Sequence, residues 1–178
     1  MTPRETLGVY INFPSIYHGV AQLEFNTSIS NLQKAVLNAL YKLNGCNLGD
    51  NLSDLIESNL DVIVEFGAAE GLTFNYLDLE TLEVFLQEIN RRESRILDFF
   101  CVFRYYALKS GVKRPLRFDY YLLRFFFNRG EFEIQIFHEK GLQRVSIEDL
   151  IKFLTDKINS ELALEGVNPV KIKYMQTV

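Results

Sequence analysis

Two stretches in the middle of the chain, 97–106 (LDFFCVFRYY) and 117–127 (RFDYYLLRFFF), are so dense in aromatic and β-branched residues that polar side chains do not alternate cleanly in either. A half-exposed strand alternates. Runs that do not are read as long central strands of a sheet covered on both faces. Phe125, Phe126 and Phe127 are consecutive, so strand parity sends them to both faces, and left exposed they would invite aggregation. The rest of the fold must cover this pair.

The covering elements are legible on both sides. Residues 9–13 and 20–25 read as two strands joined through Pro14, Ser15 and Gly19, which predicts a hairpin. Ser30 and Gln33 form a capping-box pair ahead of Leu32, Ala35, Val36, Ala39, Leu40 and Leu43, an apolar stripe stopped by Gly45. Residues 51–58 suggest a short acidic helical turn. Residues 61–66 and 72–76 read as a strand pair around Gly67 and Gly71. Asp78 is a good N-cap, with Leu77 and Leu82 spaced as a hydrophobic staple, for a second helix through Phe85, Leu86 and Ile89. A turn at Asn128-Arg129-Gly130 leads into 131–138, whose strict alternation marks a half-buried strand. Ser146 with Asp149 caps a third helix lined by Ile147, Leu150, Ile151, Leu154, Ile158 and Leu162, and residues 170–174 read as a final short strand.

These elements predict a single α+β domain over 1–178, with a largely antiparallel sheet and about three amphipathic helices on one face. Three times a strand pair feeds a capped helix, and the helices end alike at Asn44, Asn90 and Asn159. One reading is an internal strand–strand–helix repeat with sub-units 1–45, 60–90 and 96–166. The other is that amphipathic helices often end in Leu or Ile followed by Asn.

With 178 residues, 48% hydrophobic and 24% charged, the chain can close a proper core, and disordered, collagen-like and coiled-coil classes are excluded. No apolar run approaches the roughly 20 residues of a membrane-spanning helix, and the N-terminus has no basic-then-apolar pattern. The expectation is a soluble, cytoplasmic protein without membrane contact. Cys46 and Cys101 make neither a disulfide framework nor a paired zinc spacing, so no metal or other cofactor is expected.

The net charge of −4 hides a division. Residues 1–90 carry 3 basic and 12 acidic side chains, residues 91–129 carry 10 and 3, and residues 130–178 carry 6 and 8. The basic middle coincides with the aromatic runs. Lys and Arg against phosphates, with aromatic faces against unstacked bases, is the chemistry of nucleic-acid binding. Parity breaks up the pattern, since Arg117, Asp119 and Tyr121 face one way and Phe118, Tyr120 and Arg124 the other. Pairing the two runs gathers Arg104, Lys109, Lys113, Arg114 and Arg117 around a loop at 108–116. Arg91, Arg92, Arg95 and Arg129 then lie on the order of 30 Å away. Tyr105 and Tyr106 are expected close enough to the loop cluster to stack.

Catalytic candidates are few. His18 falls in the expected hairpin turn, and His138 with Glu139 ends a strand, where a polar residue is expected in any case. No glycine-rich phosphate loop is present, and the acids from Asp50 to Glu65 lack calcium-loop spacing. The leading expectation is a non-enzymatic binding protein that contacts an anionic partner, nucleic acid above all, through Arg104, Tyr105, Tyr106, Lys109, Lys113, Arg114 and Arg117. The alternatives are a protein–protein or homo-oligomeric assembly module, in which the basic middle answers acidic surfaces, and an enzyme built on His138, Glu139 or His18.

Overall fold

The two aromatic runs lie side by side at the centre of one antiparallel sheet. A computed structural model describes residues 5–48, 60–92 and 94–178; the acidic turn expected over 51–58 lies outside them. In chain order the elements are β1 (Thr6–Val9), β2 (Gly19–Glu24), α1 (Ile29–Leu43), β3 (Leu60–Glu70), β4 (Thr73–Tyr76) and α2 (Leu79–Arg91). They continue with β5 (Ile96–Lys109), β6 (Val112–Pro115), β7 (Asp119–Asn128), β8 (Glu131–Lys140), α3 (Ile147–Leu164) and β9 (Lys171–Thr177). The sheet order is β1-β4-β3-β5-β7-β8-β2-β9, with β6 paired to β5 beyond the end of β7. The described residues thus form an α+β fold with a nine-stranded sheet and three helices.

Strand parity divides the sheet into two unlike faces. Odd positions of β5 and β7, Phe99, Cys101, Phe103, Tyr105, Tyr121, Leu123, Phe125 and Phe127, are buried in one core cluster with the apolar stripes of the helices. Each such aromatic contributes about 1.5–3 kcal/mol by leaving water. α1 packs between α2 and α3. Even positions such as Asp98, Phe100, Arg104, Tyr120, Arg124 and Phe126 form the other face, where no helix of the described residues lies and the side chains are half-buried. The expectation of cover on both faces therefore holds only in part.

Asp78 and Ser146 cap α2 and α3 as the sequence predicts, accepting from the backbone N–H of Thr81 and Asp149. At α1 the cap falls two residues earlier than predicted. Ser28, not Ser30, accepts from Asn31 N–H at 3.1 Å, which makes Ile29 the first helical residue and packs it against the core. Gln33 is buried, and its amide donates to the carbonyl of Ser94 instead of closing a capping box.

The predicted hairpin between 9–13 and 20–25 does not form. β1 pairs with β4 near one edge of the sheet, while β2 lies between β8 and β9 at the other. The hairpins that do form turn on two residues that include a positive-φ glycine, Gly71 at 71–72, Gly111 after Ser110, and Gly130 at 129–130. Residues 10–18, containing Pro14, have no such turn and cross the helix-free face. The first strand pair is therefore split where the second is a hairpin, and the three strand–strand–helix stretches do not build three like units. Asn44 and Asn159 do share a role. Each side chain both accepts from and donates to the backbone of another segment, Asn44 with Phe66 N–H and Leu77 C=O, Asn159 with Val170 N–H and C=O.

Candidate nucleic-acid interface

The basic stretch at 108–116 is a β-hairpin instead of a loop. Tyr106 to Lys109 pair with Val112 to Pro115, and the turn passes through Ser110 at φ 54° and Gly111 at φ 76°. The hairpin projects past the end of β7, so Lys109, Lys113 and Arg114 stand exposed on it, with Arg117 exposed just after it. Among the described residues, Lys109, Arg114 and Arg117 have no ion-pair partner.

The other predicted members are partly spent inside the fold. Lys113 reaches Asp61 at 2.8 Å and holds that carboxyl below its ordinary value. Arg104 pairs with Glu65 and lies 5.4 Å over the Phe118 ring. Both acids come from β3, in the acidic part of the chain. Tyr106 is half-buried and meets Phe118 edge to face at 5.8 Å. Tyr105 is corrected outright: it is fully buried on the helix face, its hydroxyl donates to Asp119 at 2.7 Å, and it offers no face to a base. Burial, then the hydrogen bond to Asp119 and its charge, pushes its phenol far above the ordinary tyrosine range. Arg91 and Arg92 end α2, and Arg95 and Arg129 lie at the opposite end of β5 and β7 from the hairpin.

Asp119 is a residue that no sequence signal singled out. It is fully buried at the start of β7 and takes four donors. Tyr105 OH and Arg144 N–H, at 2.7 and 2.8 Å, go to one oxygen. Gln143 N–H and His138 Nε2, at 2.7 and 3.0 Å, go to the other. That saturates a carboxylate. The node pins the 141–145 turn beneath the sheet end, where Tyr121 adds a bond from its hydroxyl to Val145 C=O at 2.7 Å.

This geometry removes the predicted His138–Glu139 acid/base pair. His138 turns to the helix face and Asp119, while Glu139 sits at a bulge opposite Tyr120 and Tyr121 and lines the other face. His18 is also engaged, accepting from His138 N–H through Nδ1 at 2.9 Å and stacking on Phe137 at 4.6 Å. Cys101 is buried, and desolvation followed by the nearby Asp119 charge raises its thiol well above the ordinary value, which suppresses the nucleophilic thiolate. Among the described residues no cluster of His, Cys, Asp or Glu could hold a metal ion. No helix among them is long and apolar enough to cross a membrane.

The helix-free face carries a second feature. The crossing segment 10–18 is held as a strap. Tyr10 lies 4.7 Å from Phe74 and donates to Asp98, Arg124 binds Asp98 through two nitrogens at 2.8 and 2.9 Å, and Phe13 sits 4.6 Å from the Arg124 guanidinium. Burial, then Asp98, pushes the Tyr10 phenol up to about 12. Beside the strap opens a cleft of about 760 Å³. Phe100, Leu122 and Phe137 form one row of its floor, and Tyr120 with Lys140 the next, nearer the hairpin end of the sheet. Parity on β5 and β7 was the available signal for this aromatic floor. The strap depends on contacts far apart in sequence, and the sequence carried no sign of it.

Compared with known proteins, the chain matches no family model, no curated protein and no solved structure.

Proposed function

We propose that this protein is a non-enzymatic module that binds nucleic acid through its β5–β6 hairpin. The observation that carries the reading is the set of exposed cations there. Lys109, Arg114 and Arg117 have no acid partner among the described residues, and they stand beside Lys113 on or just after an element that projects from the sheet. Unpaired charge at a projecting tip is poorly placed to stabilise the fold and well placed to meet phosphates, whose neutralisation releases counterions. Tyr106 and Phe118 lie behind the tip on the helix-free face, with Arg104 over Phe118.

The test is fluorescence anisotropy with labelled single- and double-stranded oligonucleotides at low and near-physiological salt. Arg114→Glu with Arg117→Glu breaks no ion pair among the described residues and is expected to weaken binding by about tenfold or more at low salt. Unchanged affinity refutes the hairpin as the contact. A second reading, assembly with another protein or another copy of the chain, draws support from Lys113–Asp61 and Arg104–Glu65, where these cations answer acids of the same chain. It predicts that the same variant changes sedimentation mass and leaves oligonucleotide binding absent in both proteins.

A further inference from the structure

The cleft beside the strap is built from rings. Phe74 and Phe100 lie 5.5 Å apart and Phe100 and Tyr120 5.8 Å apart, with planes inclined by 28° and 25°, so the floor is a run of stacked aromatic faces on a single side of the sheet. Phe137, stacked under His18, closes the far side. The wall is the strap itself, Tyr10, Ile11, Asn12 and Pro14. The volume of about 760 Å³ falls among small-molecule sites, which span roughly 300–1,000 Å³.

The charges of the lining decide what kind of group fits. They are Glu139 and Lys140, adjacent at the end of β8, so the slot carries no net cationic field of its own. A phosphate placed within it would meet the Glu139 carboxylate and apolar rings. A flat heterocycle would stack on the rings, with Glu139 accepting from an exocyclic amine and the Asn12 side chain within the same lining. The surplus cations lie outside, on the hairpin at the Tyr120 end of the cleft, and Phe118 with Tyr106 continues the aromatic surface between the two. Phosphates outside on cations and bases inside on rings is the division of labour of single-strand binding surfaces. A duplex cannot use it, because its bases are stacked on one another and the strap bars the approach of a second strand.

Resting on the nucleic-acid reading above, we infer that this cleft seats an unpaired base of a single strand whose backbone is held by the hairpin. The strand enters past Arg117 and Phe118, and one base stacks against Phe100, Tyr120 or Phe137.

The experiment compares two fluorescein-labelled strands of about 12 nucleotides, one of ordinary deoxynucleotides and one with the same phosphates but abasic sugars in its central half. Both are titrated at low salt against the full chain and against Phe100→Leu with Phe137→Leu, which keeps apolar bulk and removes two aromatic faces. The base-bearing strand is expected to bind the wild type about tenfold or more tightly than the abasic one, and the leucine variant is expected to lose that preference. Phe100→Tyr with Phe137→Tyr, which restores the rings, is expected to regain it. Circular dichroism of each variant separates loss of stacking from loss of fold. Equal binding of the two strands by the wild type overturns the cleft as a base site while leaving the hairpin reading intact. Binding of neither strand overturns both.

Discussion

Replacing Asp119 by Asn is the most direct challenge to the reading of the Asp119–His138 pair as structural. The carboxylate is fully buried and each oxygen takes two donors. An asparagine of the same shape turns one oxygen into a donating NH2. If that group replaces the oxygen bound by Gln143 N–H and His138, the histidine can change tautomer to accept, but the Gln143 N–H is stranded. If it replaces the other, the Tyr105 hydroxyl can rotate to accept, but the Arg144 N–H is stranded. Either way one part-buried backbone donor, facing a fully buried side chain, loses its partner, at about 1–3 kcal/mol, and the remaining bonds lose their charge assistance, about 1 kcal/mol more. The expected loss is about 2–4 kcal/mol. For a chain of this length each kcal/mol moves Tm by about 2–4 °C, so the melting point should fall by roughly 4–16 °C. Tyr105→Phe removes one donor and strands none, so its cost is expected to be smaller, about 1–2 kcal/mol. Urea denaturation of both variants, followed by far-ultraviolet circular dichroism, gives the comparison. An Asp119→Asn protein as stable as the wild type, or one less harmed than Tyr105→Phe, would refute the argument that the node holds the 141–145 turn.

Three further outcomes follow from the same geometry. Gly141 has φ +113°, and a Cβ there would come 2.8 Å from Asp119 Cα as well as against Asp119 Oδ1 and Phe118 C=O. Gly141→Ala is therefore expected to cost about 3 kcal/mol or more in chemical denaturation, and a near-neutral change would contradict the placement of that turn. Folding raises the phenol pKa of Tyr10 to about 12, and those of Tyr76, Tyr105 and Tyr121, above the ordinary 10.0, chiefly through burial. The native state then keeps protons that the unfolded chain releases near pH 10. Stability from Tyr10 is complete below about pH 10 and is lost as pH climbs through about 12, and that from the other three is likewise complete below about pH 10 and lost above it. Tyrosinate absorbance should lag in the native protein relative to urea-unfolded chain, and coincident titrations would refute it. For oligonucleotide binding, single strands give a log–log salt slope of about −0.7 per phosphate neutralised, so four hairpin cations predict about −2.8 and Arg114→Glu with Arg117→Glu about −1.4. An unchanged slope would place the phosphate contacts elsewhere.

The elements whose determinants are local were legible. Asp78 and Ser146 announce their helices because a cap is decided within four residues, and Gly130 announces its turn because positive φ is a property of one position. The α+β class and the central position of β5 and β7 follow from composition over ten-residue windows. What failed depends on distant partners. Residues 9–13 and 20–25 have strand-like patterns, but which strand each joins is set by Glu133 offering its carboxylate to Gln22 and by β4 offering its free edge to β1. Ser28 and Ser30 are equally good caps in isolation, and the burial of Ile29 decides between them. Of the seven predicted site residues, parity alone sufficed to remove Tyr105. It is an odd position of β5, the parity of Phe99 and Phe103, and those face the helices.

Charge along a sequence and charge in space differ for the same reason. The basic middle holds 10 cations, which by count suggests a broad anionic contact. Three of them, Arg104, Lys113 and Arg124, meet Glu65, Asp61 and Asp98 in pairs that lie on or beside the helix-free face. There a carboxylate on the neighbouring strand or the next one over is within reach, and partial burial makes the pairing worth more than it would be in open water. Among the described residues no acid pairs with Lys109 or Arg114 on the hairpin, where Lys113 alone meets one, Asp61. The surplus therefore collects on the hairpin that β5 and β6 form past the start of β7. That projection, more than the number of basic residues, leaves Lys109 and Arg114 open to a partner.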